Sequence, residues 1–290
     1  MPKQKNYAIL LMVVTMLIFS IQDGISRYLA SSYNVLMIVM IRYWIFALFA
    51  IYIVISKKTS EPLVYRSRKP ILQTLRGLIL VCEVCILVYS FTLIGLAESH
   101  AVFAIYPLII VLLSGIFLNE KNNWKIWAAM IIGFLGVMII LNPKNTIISL
   151  DGLIPLLSAS LFAIYAILTR KVSEQDSPET SFVWTGVIGG LGITFLGPFY
   201  LEPMLVLDVV LLIFLCVAAI SGHFLFIKAL AISEAGTLQP FAYFQLLFAS
   251  IIGVTIFSER ISSSLFLGAF LIVIAGLLSF FEGQKKPRSM

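Results

Sequence analysis

Charge is what this 290-residue chain has least of: lysine, arginine, aspartate and glutamate make up 12% of it, against roughly 25% in ordinary soluble domains. That scarcity, with 60% hydrophobic residues and a mean hydropathy of +1.04, leaves more apolar surface than a water-facing fold can hide, so the solvent has to be lipid. Histidine is nearly missing, with only His100 and His223, and no H-E-x-x-H or G-x-S-x-G segment occurs. Neither a zinc hydrolase nor a serine hydrolase of those signatures is written into the chain, and the expectation is that it is not an enzyme and has no catalytic residue. No Walker segment occurs either, which excludes ATP-driven transport by this chain alone. The three cysteines, Cys82, Cys85 and Cys216, sit inside apolar runs. The C-x-x-C of the first two has no second pair or nearby histidine to complete a zinc site; they read as packing side chains, and no metal or other cofactor is implied.

What is there is a succession of apolar runs broken by polar clusters, near 6–28, 34–56, 71–95, 98–118, 124–142, 150–170, 180–200, 207–230, 236–257 and 263–282. A spanning helix takes about 20 residues, so ten spans use most of the chain and leave no room for a soluble domain. The fold class expected is an all-α membrane protein of ten transmembrane helices. The first run follows Lys3 and Lys5 like a signal peptide, but nine further spans and no small-residue cleavage site make it a retained helix.

The net charge of +6 would point to nucleic acid in a soluble protein; here the positive charges fall in loops, and no nucleic-acid partner is expected. Assigned to alternate sides, fifteen lysines and arginines fall on one side (Lys3, Lys5, Lys57, Lys58, Arg66, Arg68, Lys69, Lys121, Lys125, Arg170, Lys171, Lys228, Lys285, Lys286, Arg288) and three on the other (Arg27, Lys144, Arg260). Positive charge stays in the cytoplasm, so both termini are expected there, in a multi-pass protein of the cell (inner) membrane.

The chain also repeats. Phe117-Leu118-Asn119-Glu120 closes the fourth span and Ile256-Phe257-Ser258-Glu259 closes the ninth, each followed at a similar distance by a glycine, Gly136 and Gly276. Phe19 to Arg27 likewise parallels Phe162 to Arg170. Five spans per half is an odd number, so the second half (146–290) is inverted relative to the first (1–145). Inverted repeats are a mark of alternating-access transport. A channel or scaffold, or an intramembrane enzyme, is the competing reading.

These residues resemble the drug/metabolite transporter superfamily, and within it the EamA-type ten-helix carriers. The resemblance runs through Ile41-Arg42-Tyr43, Leu75-Arg76-Gly77, Tyr106-Pro107-Leu108 to Glu120, Trp124 with Gly133 to Val137, and the Ser258-Glu259 to Gly276 stretch. It implies a 5+5 inverted repeat, a cavity between the halves, and secondary transport of small polar metabolites such as amino acids, nucleosides, vitamins or S-adenosylmethionine. The partners implied are the lipid bilayer and a small-molecule substrate, with a proton or an exchange solute open as the coupling partner and a homodimer allowed. The segment around Arg76 is also similar to that in S-adenosylmethionine and riboflavin carriers; Glu83 and the Cys82/Cys85 pair depart from them.

An ionisable group inside a span costs about 2.5–3.5 kcal/mol even on lenient insertion scales, so each needs a partner, a cavity or a route to the surface. Glu83, deep in the third span, either faces a cavity, binding a cation or carrying a proton, or pairs with Arg42 or Arg76. Asp23 and Arg27 are spaced to pair along one helix, or with Ser20 and Gln22 make a polar edge of the pathway. Arg42 meets an anionic group of the substrate or neutralises Glu83; Arg76, near the cytoplasmic end, is expected to snorkel out. His223 offers hydrogen bonding to substrate, proton relay, or plain packing. His100 and Gln239, which the repeat brings into register, are a candidate pair of gates or ordinary interfacial groups. Pro107 and Pro240 remove backbone bonds and bend their helices. Tyr106, Tyr165, Tyr243 and Gln245 complete the candidate substrate set with aromatic faces and an amide. Gly186-x-x-x-Gly190 permits close helix packing. The two acids tilt the substrate towards one with a positive charge: an amino acid, an organic cation or a sulfonium compound.

Overall fold

The computed structural model describes residues 2–56, 65–94, 96–120, 124–141, 150–256, 267–268, 270–275 and 277–278. Glu259, Gly276, half of the tenth apolar run and the basic residues Lys57, Lys58, Lys121, Lys144, Arg260, Lys285, Lys286 and Arg288 lie outside them. Among the described residues every regular element is helical: α1 Pro2–Ala30, α2 Val35–Ser56, α3 Pro70–Ile94, α4 Leu96–Phe103, α5 Tyr106–Phe117, α6 Trp124–Leu141, α7 Leu153–Val172, α8 Pro178–Thr194, α9 Val206–Ile232, α10 Ala235–Ala242 and α11 Phe244–Ile256. The described residues at 267–268, 270–275 and 277–278 are helical as well. Five of these helices, α1, α2, α3, α7 and α9, are long and apolar enough to cross a membrane.

Local chemistry sets several of the ends. Asn34 accepts the Leu36 N–H at 2.9 Å and opens α2; Ser177 accepts the Thr180 N–H at 3.1 Å ahead of Pro178 and opens α8, the side-chain cap and first-turn proline that a helix start favours. Asn119 takes a left-handed conformation, φ 54°, after α5. The chain turns sharply there, the Glu120 N–H returns to the Ser114 carbonyl at 3.2 Å, and the Glu120 side chain is thrown across to α10.

Two runs expected to be continuous spans are broken. The fourth divides into α4 and α5 at Ala104–Ile105, just before Pro107, which sits in the first turn of α5. The ninth divides into α10 and α11 at Tyr243, with Pro240 inside α10. Each proline lacks the N–H that would have continued the ladder. The breaks recur at one constant offset along the chain: Leu96 and Phe103, the ends of α4, correspond to Ala235 and Ala242, the ends of α10, and Phe117 at the end of α5 corresponds to Ile256 at the end of α11.

The packing has the same regularity. α1 lies along α9 and α3 along α7, α2 faces α8, α11 packs on α1 and α5 on α7, so each of these first-half helices has its main partner in the second half of the chain. The surface is inside-out by the standards of a soluble protein. Leu48, Ile55, Phe195, Phe199 and Val206 stand exposed, while Asp23, Arg42, Arg76 and Glu83 are buried to 4% exposure or less, as a lipid solvent requires.

The α2–α8 contact depends on small residues. Gly186 seats the Phe46 ring, Gly190 faces Ala47, and Gly189 seats the fully buried Tyr43 ring. A methyl at Gly189 would fall 2.2 Å from a carbon of the Tyr43 ring, whereas one at Gly192 meets the end of the Leu78 side chain at 3.0 Å and Val81 at an ordinary 3.6 Å. Gly189→Ala is therefore expected to cost about 1–3 kcal/mol by overpacking and Gly192→Ala clearly less. Thermal melts in detergent read the order; equal melting of the two variants would contradict it.

Candidate functional site

Helices α1, α2, α3, α9 and α11 converge on a narrow cavity of about 30 Å³, room for one or two waters and not for a metabolite. Asp23, Arg42, Glu83, His223 and Gln245 line it, with Gln22 and the rings of Phe19, Phe103 and Phe162. Five of the eight expected substrate-site residues thus come together. Tyr106, Tyr165 and Tyr243 do not line it. Tyr106 packs edge-on to Phe162 with its hydroxyl 3.7 Å from the Met16 sulfur. Tyr165 lies beneath the Arg76 guanidinium, and Tyr243 fits against Gly133.

Each charge in the cavity is held by a neutral group. Asp23 accepts from the Gln245 amide at 2.8 Å and has His100 Nε2 at 3.3 Å. Gln245 is itself placed by the helix break and by Ser20, whose hydroxyl donates to the Gln245 carbonyl at 2.7 Å. Arg42 lies 3.1 Å from His223 Nε2. Arginine only donates, so Nε2 accepts and the His223 proton sits on Nδ1, a buried donor without a partner among the described residues. Glu83 accepts from the Ser158 hydroxyl at 2.8 Å; among the described residues no cationic side chain comes within ion-pair distance of it, so neither expected arginine pair forms. Asp23 likewise turns into the cavity. Ser158 and the phenylalanine walls are site residues that the sequence did not single out.

His100 and Gln239 are the fifth residues of α4 and α10, and both are buried rather than at a membrane interface. His100 stacks on Phe91 beside Asp23; Gln239 donates to the Ala235 carbonyl at 2.9 Å.

Two further clusters tie the chain's halves together at one end of the bundle, where Lys228 lies over the Tyr7 ring. Glu120 accepts the Ala235 and Gly236 N–H groups at 3.0 and 3.1 Å, the start of α10 where a carboxylate is favoured. It also takes Arg170 at 3.3 Å, and Arg170 donates to the Leu230 carbonyl at 3.1 Å. Beside it Arg76 corrects an expectation: it does not snorkel but is fully buried, donating to Thr169 at 3.1 Å, Thr185 at 2.7 Å and the Ser181 carbonyl. Polar groups on the neighbouring α7 and α8 were nearer than the surface. Asp176, in the connection between those helices, accepts from Ser67, the Arg68 N–H and Gln73. Burial raises its carboxyl, but those three hydrogen bonds and the charge of Arg76 together hold it below the usual aspartate value. At the opposite end Tyr33 donates to Asp208 at 2.7 Å, which pushes the phenol up.

The profile of the EamA-like transporter family matches this chain twice, over residues 6–142 and 151–281. The S-adenosylmethionine uptake transporter of Rickettsia bellii is 25% identical over 272 residues, 92% of this chain and 90% of its own. The riboflavin transporter of Rhizobium johnstonii is 32% identical over 187 residues, 63% of this chain and 61% of its own. A solved crystal structure superposes with a TM-score of 0.78 at 14% identity, over 97% of this chain and 100% of the other, a likeness of fold.

The Asp176 cluster has a pH signature. A carboxyl held low in the folded state adds stability that is complete above its ordinary value of about 3.9 and is lost as pH falls through the lower folded value. Asp176→Asn should melt below the unmodified protein at pH 7, and the gap should close as the pH is taken below about 4. A gap that stays constant with pH would refute this role.

Proposed function

The chain belongs to the EamA-like transporter family, and from that premise we propose that it is a secondary active carrier of a small metabolite with a net positive charge, a cation or a zwitterion with an added cationic centre. That it transports a small metabolite follows from its relatives; the class of solute and the mechanism are our reading.

One observation carries the solute class. Three formally charged side chains, Asp23, Arg42 and Glu83, face one cavity. Two acidic side chains stand against one guanidinium, and a buried site with that excess of acidic groups is best complemented by a solute of net positive charge. S-Adenosylmethionine has that charge at neutral pH, through a sulfonium, an ammonium and a carboxylate, and relatives covering nine-tenths of this chain are named as its uptake transporters. Riboflavin is neutral, and the carriers named for it match less of the chain. S-Adenosylmethionine is therefore the first solute to test. The roles follow from charge: Arg42 receives the carboxylate, Asp23 and Glu83 the cationic groups, and the phenylalanine rings an apolar or aromatic moiety.

Alternating access between two inverted halves, 1–145 and 146–290, is supported by the recurrence of the broken helices, α4–α5 and α10–α11, and by the paired packing of α1 on α9 and α3 on α7, arrangements that inverted-repeat carriers use. The narrow cavity, with room for water but not for the solute, supports a contracted state of the site. His100 and Gln239 on the half-helices α4 and α10, with Pro107 and Pro240, make up the moving gates. The distribution of loop charges supports an inner-membrane protein with both termini in the cytoplasm.

Uptake of labelled S-adenosylmethionine into proteoliposomes tests the reading. Glu83→Gln and Arg42→Gln should each lower the initial rate about 10- to 100-fold, the loss of a charged hydrogen bond of about 1.5–3 kcal/mol, while remaining monodisperse and inserted. Normal uptake by Glu83→Gln would overturn the assignment of the site.

A further inference from the structure

The contacts across the central cavity share one polarity. The charged partner comes from the first half of the chain: Asp23 on α1, Arg42 on α2 and Glu83 on α3. The neutral partner comes from the second: Gln245 on α11, His223 on α9 and Ser158 on α7, at 2.8, 3.1 and 2.8 Å. Each neutral group is also of the right kind. The two carboxylates meet donors, an amide N–H and a hydroxyl; the guanidinium meets an acceptor, the histidine Nε2. A substrate with cationic donors and one carboxylate would present the same pattern in ionised form.

Resting on the proposed carrier function, we infer that Ser158, His223 and Gln245 are place-holders for the substrate: they satisfy the three charges when the site is empty, so that the carrier closes and reorients without cargo. A neutral partner is suited to this. A buried charge left alone would block closure, whereas a neutral hydrogen bond holds the charge yet is weaker than one between ionised groups, so arriving substrate displaces it. The displaced groups are set for that exchange. Gln245 is anchored through its backbone carbonyl by Ser20, which leaves its amide arm free to swing. His223 keeps an unpartnered Nδ1–H in the buried site, a donor that remains for the substrate when Arg42 changes partner.

The consequence is kinetic. A carrier that reorients empty sustains net uptake; one that closes only when loaded is confined to exchange, because a conformational step proceeds only as far as the states it links are comparably stable. The place-holders are what separate the two modes here.

The test compares two arms in proteoliposomes with the membrane potential clamped. In one, labelled S-adenosylmethionine enters vesicles preloaded with unlabelled compound; in the other it enters empty vesicles. The unmodified carrier should show both activities. In Ser158→Ala combined with Gln245→Leu, net uptake should fall at least tenfold more than exchange. Ser158→Thr, which keeps the hydroxyl, should hold the unmodified ratio. If the double variant fails to insert, Ser158→Ala alone is expected to shift the ratio in the same direction by at least threefold. Equal loss in both arms, or an unchanged ratio, overturns the place-holder assignment with the carrier function intact. Uptake by the unmodified protein in neither arm would instead overturn the proposed function on which it rests.

Discussion

A charge at membrane depth has no water to retreat to, and this chain answers that constraint by partnering each charge across its two halves. Asp23, Arg42 and Glu83 find Gln245, His223 and Ser158. Arg76 finds Thr169, Ser181 and Thr185, and Glu120 finds Arg170 and the start of α10. The apolar faces alone would not specify this arrangement, since one apolar helix surface packs on another much as it packs on lipid. Buried polar contacts are what select one mutual placement of the helices. The glycine seats under Tyr43 and Phe46 then let α2 and α8 approach closely enough for the neighbouring contacts to form.

The broken helices serve the same end. A continuous helix through the cavity would keep its carbonyls and amides occupied along its own axis. Dividing the fourth and ninth apolar runs near their middles separates the short α4 and α10 from the longer α5 and α11. Gln245, just past the Tyr243 break, thereby turns onto Asp23, and His100, near the middle of α4, lies over the same carboxylate. α4 ends at the cavity wall with Phe103, and α10, gripped at its start by Glu120, ends three residues before Gln245. Motion at either end of α10 is thus felt at the other.

Much of the site was legible because an ionisable residue in an apolar run is a local signal: Asp23, Arg42, Glu83 and His223 stand out from their neighbours before any packing is known. The helix breaks were half legible, since Pro107 and Pro240 announce lost backbone bonds but not where the chain gives way, which is before the proline in the first case and after it in the second. A tyrosine in an apolar helix is polar only at its tip, and which way that tip points depends on helix rotation: Tyr165 lies under Arg76, Tyr106 and Tyr243 line a smaller neighbouring cavity with His100 and Gln245, and Phe19, Phe103 and Phe162 make the walls of the central one. Ser158 was hidden for the converse reason: a serine in a span is unremarkable until α7 is known to lie along α3 and place it on Glu83. Arg76 was judged by its distance from the helix end, when the nearer satisfaction lay sideways in α8.

The two ends of the bundle differ in what they ask of an opening motion. At one end lie the Glu120–Arg170 grip and the Arg76–Asp176 cluster, many hydrogen bonds joining the halves. At the other the described contacts are fewer, chiefly Tyr33 to Asp208 and the Asn34 N–H to Glu202 at 3.1 Å. Breaking either set costs less than breaking the central one, since water arriving at a bundle end replaces the lost partners. In a cavity of about 30 Å³ there is almost no water to do so. Under the alternating access proposed above, only the substrate's own groups, or the neutral residues opposite, can keep the three charges satisfied while the halves rock. On that mechanism the central contacts decide whether the carrier turns over, and the peripheral ones decide which way it faces while it waits.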